Sequence, residues 1–164
     1  MKSAEFDIRA TDYSVTSSQI GWITESVVGA NLIARSGGRI APFTPVADDC
    51  GVDLLAMDKA SGRTVALQVK AWTRGPSTDQ TIQFDIRKST FNAFSYFIGV
   101  WVPLPELEIA YAWFLPMRDV PDFARDARSH LIVRCSTGPN TRDKMSLFRM
   151  DSEGLVAAIQ ATLA

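Results

Sequence analysis

Apolar residues first recur with helical spacing after the cluster Thr16, Ser17 and Ser18, residues that can cap a helix N-terminus. The pattern runs from Gln19 through IGWITESVVGANLIAR to about Arg35, where Ser36, Gly37 and Gly38 stop it. Val28, Leu32 and Ile33 form the stripe expected to face a sheet, and Glu25 is in phase with them. The next stretch, Arg39 to Val46, holds Pro42 and Pro45 and reads as an edge strand.

From there the period becomes that of strands. VDLLAMDKASGRTVALQVK, residues 52–70, reads as two strands around a tight turn, followed by a polar loop at 73–80 and a short strand TIQFDI at 81–86. A short helix is expected from Lys88 to about Ser95. YFIGVWVP, 96–103, is continuously apolar, as a strand buried on both faces should be, and IAYAWFL, 109–115, reads as its neighbour. MRDVPDFARDAR is expected to be a helix interrupted near Pro121, HLIVRC a final strand, and SEGLVAAIQATL a C-terminal helix. Helices at both ends with strands between them predict one mixed α/β domain over residues 1–164.

Composition changes this picture little. The chain of 164 residues is 46% hydrophobic and 21% charged, as a globular domain is, with no disordered or fibrous bias. Its net charge of -1 gives no global attraction to a polyanion, although Arg and Lys thicken in the second half among interleaved Asp and Glu. The cysteines, Cys50 and Cys135, have no paired spacing, which argues against structural zinc and a disulfide framework. The polar, acidic start MKSAEFDIRATDYS is unlike a signal peptide, and no run approaches the ~20 apolar residues of a membrane span. The expected location is the cytoplasm, with no membrane partner.

The hairpin changes it more. If its turn is symmetric about Ala60 and Ser61, Asp53 lies opposite Gln68. Opposed residues share a face with Cβ atoms ~5 Å apart, and Lys70 joins them because strand side chains repeat every second residue. Val52, Leu54, Leu67 and Val69 fill the other face. The polar face is open to two readings, a solvated surface with an Asp53–Lys70 ion pair, or a site. Glu25 bears on the choice, because a carboxylate on a packing face is costly without a partner, while Gly21 and Gly29 one turn away leave it space. On a broader stripe Glu25 would point to solvent. Two carboxylates, an amide oxygen and an ammonium at one point would suit a hard cation such as Mg²⁺ and a metal-associated water.

These residues resemble the PD-(D/E)XK nuclease superfamily, in the branch similar to archaeal Holliday-junction resolvases and other restriction-endonuclease-like proteins. The resemblance lies in the glutamate of GWITESVVGANLIARSGG, the aspartate of DDCGVDLLA and the triplet QVK of VALQVKAW, and covers about residues 17–72. It implies a restriction-endonuclease-like core of helix-strand-strand-strand-helix-strand order, a central mixed sheet flanked by helices. Residues 17–103 would form that core, 1–15 an N-terminal extension, and 104–164 additional strands and the C-terminal helix. It further implies that Asp53 is the central metal ligand, that Gln68 takes the place of a second acidic ligand, and that the Val69 carbonyl completes that side. Glu25 would bind metal directly or through water, and Lys70 would position the attacking water. The cofactor would be Mg²⁺, with Mn²⁺ as substitute, the partner DNA, and the assembly a homodimer.

This chain departs from the pattern in two places. Val52 stands where the motif's name has proline, and Gln68 where it has Asp or Glu. A glutamine brings an oxygen but no charge. The expected function is therefore a metal-dependent DNA nuclease, with two alternatives: a catalytically weak or inactive nuclease fold acting as a DNA- or protein-binding module, or a structural subunit.

Other residues suggest less. His130, the one histidine, accompanies no nucleophile elbow and reads as a strand-edge structural residue. Asp48 and Asp49 read as turn residues or outer carboxylates, and Trp22, Trp72, Trp101 and Trp113 as packing rather than base-stacking side chains. Arg35, Arg39, Arg74, Arg87 and Lys88 are candidates for contact with a nucleic-acid backbone.

Overall fold

The computed structural model describes residues 15–47, 50–74, 81–138 and 143–164. The readings of Asp48 and Asp49, of the N-terminal extension up to residue 14 and of most of the loop 73–80 fall outside the described residues.

Helix α1 (Ser17–Arg35) begins on a capping box. Gln19 N–H donates to Thr16 Oγ1 at 3.3 Å, and Thr16 N–H donates to Gln19 Oε1 at 2.9 Å. It ends in a Schellman turn: Gly38 N–H donates to the Ile33 carbonyl and Gly37 N–H to that of Ala34, with Gly37 and Gly38 at φ 61° and 78°. The buried stripe is Thr24, Val28, Gly29 and Leu32. Ile33, expected in it, is 48% exposed, because the stripe is rotated toward Thr24 and its hydroxyl bonds back to the Ile20 carbonyl at 2.8 Å.

The strands are β1 (Ile40–Phe43), β2 (Leu54–Asp58), β3 (Thr64–Trp72), β4 (Thr81–Arg87), β5 (Tyr96–Trp101), β6 (Tyr111–Pro116), β7 (Arg125–Asp126), β8 (His130–Ser136) and β9 (Arg149–Met150), and helix α2 spans Ser152–Leu163. Six of them form a mixed sheet in the order β1-β2-β3-β5-β6-β9, with β1 at an edge and β3 parallel to β5. The hairpin has the expected register, with Leu54 opposite Leu67 and Ala56 opposite Val65. A slip of one residue would turn Leu67 and Val69 off the core, and burying each such side chain is worth about 1.5–3 kcal/mol.

Two apolar cores lie on opposite faces of this sheet. On one face α1 and α2 pack through Val28, Leu32, Leu155 and Ile159 onto Leu54, Leu67, Val69, Ile98 and Phe114. The other face is covered by a second sheet of order β4-β8-β7, through Ile82, Phe84, Ile86, Leu131, Val133 and Cys135 packed on Phe97, Trp101, Trp113 and Leu115. Phe84 occupies the space left by Gly99, where a Cβ would stand 2.7 Å from its Cε2, and meets Phe97 and Trp113 at centroid distances of 5.7 and 5.8 Å.

The second sheet corrects several expectations. Between β3 and β5 the described residues hold strand β4 and a single 3-10 turn, Lys88–Thr90, in place of the short helix expected to Ser95. TIQFDI and HLIVRC lie beside each other, outside the main sheet. MRDVPDFARDAR folds as a 3-10 turn, Met117–Asp122, containing Pro121, followed by β7. A proline lacks the N–H that an α-helix would need there. HLIVRC is not the last strand, since β9 adds to β6.

Candidate active site

The site grows out of the point where β2 begins. Asp53 N–H donates to the Leu67 carbonyl at 2.9 Å, extending the hairpin ladder one residue beyond β2, and its Oδ2 accepts from Val69 N–H at 2.6 Å. That charge-assisted bond fixes the carboxylate against β3. The loop before it is pinned: Asn92 Nδ2 donates to the Cys50 carbonyl at 2.6 Å. Gly51 stands at φ 68°, and a Cβ there would collide with the Thr90 carbonyl and come 2.8 Å from Gln68 Nε2. A glycine is required both for the backbone conformation and for the space that the amide of Gln68 occupies.

Asp53 and Lys70 each line two neighbouring cavities. The first, of about 460 Å³, also has Gln68 in its lining, and the second, of about 420 Å³, has Glu25. Thus Glu25, on the helix, shares one cavity with Asp53 and Lys70, and Gln68, on the sheet, shares the other. Glu25 is half-buried on α1, and its Oε1 lies 3.7 Å from where a Cβ of Gly21 would be. Gln68 is 1% exposed, and among the described residues its Oε1 has no hydrogen-bond partner. A buried amide oxygen without a donor is costly, and a cation would satisfy it. The donors at hand, the Asp53 carboxylate, Gln68 Oε1 and the Glu25 carboxylate, are all oxygens, which fits a hard cation that keeps several of its waters. Among the described residues no group of three or more His, Cys, Asp or Glu is arranged for a metal, so the set is low in charge.

The basic candidates fall into two groups. Arg35 donates to Asn31 and pairs with Glu153 at 3.0 Å, and Arg39 holds Asp58 through both carboxylate oxygens at 2.9 and 2.8 Å. Both arginines are engaged in ion pairs, and Arg39 sits at the turn end of the hairpin, five residues of β2 from Asp53. Arg74 lines the Glu25 cavity with its guanidinium 5.5 Å from the Trp72 ring centre, and Arg87 lines the Gln68 cavity. Lys88 pairs with Asp126 at 2.5 Å. Of the tryptophans, Trp101 and Trp113 are core residues, Trp72 is half-buried and Trp22 is 72% exposed.

No protein-family model and no curated protein matches this chain. Among solved structures, a bacterial homing endonuclease, I-Ssp6803I, superposes with a TM-score of 0.62 at 15% identity, over 90% of this chain and 94% of that one. The fold is PD-(D/E)XK-like. A Holliday junction resolvase, Hjc of Archaeoglobus fulgidus, aligns over 76% of this chain and 95% of its own at 9% identity and a TM-score of 0.41. The fold assignment rests on the first of these. No helix among the described residues is long and apolar enough to cross a membrane.

Within this PD-(D/E)XK-like fold the Gln68 cavity is also lined by Asp85 and Thr90, which the sequence did not single out, and by His130, expected to be a strand-edge structural residue, besides Gly51. Asp85 and Arg87 alternate with the buried Phe84 and Ile86 along β4, and His130 is the register partner of Arg87 across the β4–β8 ladder. The alternation in TIQFDIR was a legible signal that Asp85 and Arg87 share a face. Nothing local signals that β4 and β8, more than forty residues apart, pair beside the hairpin.

Proposed function

We propose that this protein is a metal-dependent nuclease that hydrolyses DNA phosphodiester bonds at the junction of its two cavities. The reading is carried by one observation: Asp53 and Lys70 line both cavities, with Glu25 in one and Gln68 in the other, on a nuclease-like fold. Asp53, Gln68 Oε1 and the Val69 carbonyl would hold Mg²⁺, or Mn²⁺ in its place, with Glu25 binding directly or through water. When bound, such a cation neutralises charge developing on the phosphate and lowers the pKa of its waters.

The chain's own side chains then have separable tasks. Asp53 is held in place by Val69 N–H, so little reorganisation accompanies binding. Lys70, half-buried beside it, donates hydrogen bonds through its ammonium and so orients the attacking water and the phosphate oxygens. Glu25 supplies negative charge from the helix side. A homodimer would bring two such sites to two strands, which sedimentation would test.

Purified protein with Mg²⁺ or Mn²⁺ should cut at least one of branched, duplex or single-stranded DNA. Asp53→Ala and Lys70→Ala should each lower the rate by about 100-fold or more, the scale on which preorganised charge acts in catalysis. Cleavage that persists unchanged in both variants would sink the proposal. The neutral Gln68 favours a second reading, a nuclease fold retained for binding; its signature would be DNA binding without saturable Mn²⁺ binding in calorimetry.

A further inference from the structure

We propose that the small β4-β8-β7 sheet is the phosphate-gripping wall of the site, with Arg87 and His130 holding a backbone phosphate of the strand on which Asp53, Gln68 and Lys70 act. The inference rests on the nucleic-acid reading above and adds to it the residues that hold the substrate. The Gln68 cavity has two walls. One comes from the hairpin, and the other from β4, the 3-10 turn behind it and the start of β8.

Arg87 and His130 are register partners across the antiparallel β4–β8 ladder, so their Cβ atoms stand ~5 Å apart on one face. Each alternates with a buried neighbour, Ile86 at 0% and Leu131 at 7% exposure, that anchors the strand in the core. Phe84, seated against Gly99, ties the same strand to β5 beside Lys70, whose register partner on β5 is Gly99. The wall is therefore fixed relative to the hairpin.

The chemistry of the pair suits a phosphate diester. Arg87 forms no ion pair among the described residues, whereas the adjacent Lys88 is bound to Asp126. A guanidinium can donate two parallel hydrogen bonds to two phosphate oxygens. His130 Nδ1 is joined to Ser129 Oγ at 2.8 Å, which leaves Nε2 for a ligand. The neighbouring carboxylate of Asp85 accepts from Gln83 Nε2 at 2.9 Å. Opposite stand Lys70 and the oxygen donors of Asp53 and Gln68, so a phosphate held by Arg87 and His130 faces the groups proposed to act on it.

Fluorescence anisotropy with labelled single-stranded and duplex oligonucleotides, in EDTA so that nothing is cut, tests the wall, and Mn²⁺-supported cleavage tests hydrolysis. Arg87→Ala should weaken binding about 10- to 100-fold, as loss of a charge-assisted hydrogen bond does. It should also lower the slope of log K against log salt by about one. Arg87→Lys should recover the slope and part of the affinity. His130→Asn should weaken binding about 2- to 10-fold, and Lys59→Ala, exposed in the hairpin turn at the end opposite Asp53, should change neither quantity. Wild-type affinity and slope in both Arg87→Ala and His130→Asn would overturn the wall while leaving cleavage by the wild type intact. Weakened binding in Arg87→Ala with no cleavage under either cation would keep the wall and remove the hydrolysis. A wild type that binds no nucleic acid would remove both.

Discussion

At the residue scale the decisive group is Gln68. Its position on the face of Asp53 followed from hairpin symmetry alone, because strand side chains have a period of two and the turn residues fix the register. Its environment was not legible: among the described residues Oε1 is buried without a donor, while the amide nitrogen lies against Gly51 in a cavity that Thr90, from the 3-10 turn after β4, helps to line. Substituting Gln68→Glu should tighten Mn²⁺ binding by at least about tenfold in calorimetry, since ~1.4 kcal/mol is a factor of ten and a full negative charge beside a divalent cation is worth at least that. Unchanged or weaker binding would mean that the amide does not face the ion. Gly51 offers a companion test. Alanine there meets both a positive φ and the Thr90 carbonyl, so Gly51→Ala should destabilise the fold by about 1–3 kcal/mol in urea unfolding. A wild-type midpoint would show that the loop moves aside freely.

At the element scale, the hairpin is anchored at the end opposite Asp53. Arg39 donates to both carboxylate oxygens of Asp58, and Ala60 N–H and the Ser61 hydroxyl donate at 3.0 Å each. The Arg39 hydrogen bonds, followed by that of the Ala60 backbone, hold the Asp58 carboxyl well below the usual carboxylate range. In the unfolded chain it takes up its proton near pH ~4, and in the folded protein only at lower pH. The unfolded state thus binds more protons in that interval, so this contribution to stability is complete above about pH 5 and is lost as pH falls through ~4 and below. Asp58→Asn should lower stability at neutral pH and flatten the decline in acid, measured by urea unfolding across that range. An acid limb as steep as wild type would locate the sensitivity elsewhere. Helices α1 and α2, the hairpin, β5 and β6 were readable because each buries a periodic face or a continuous apolar run. The expected helix after Lys88 was not realised, because that segment gives only a 3-10 turn ahead of the Asn92 contacts to Cys50 and Ser95.

At the scale of the whole molecule, three layers meet at the site. The helical layer brings Glu25, the main sheet Asp53, Gln68 and Lys70, and the second sheet Asp85, Arg87 and His130. Only the first two layers were legible in the sequence. The third forms by pairing β4 with β8, and the alternating patterns of TIQFDIR and HLIVRCS state that each strand has one buried face without stating which surface covers it. A ligand held between layers resists the separation of all of them, because it binds the folded chain and not the unfolded one. Mn²⁺ at 100 times its dissociation constant should therefore stabilise the protein by about 2.7 kcal/mol, which for a chain of this size raises the thermal midpoint by about 5–11 °C. EDTA should reverse the shift, and Asp53→Asn should abolish it while leaving the midpoint without metal close to that of the wild type. An equal shift in Asp53→Asn would place the ion outside this site, and the absence of a shift in the wild type would leave the buried oxygen of Gln68 without the partner argued for it.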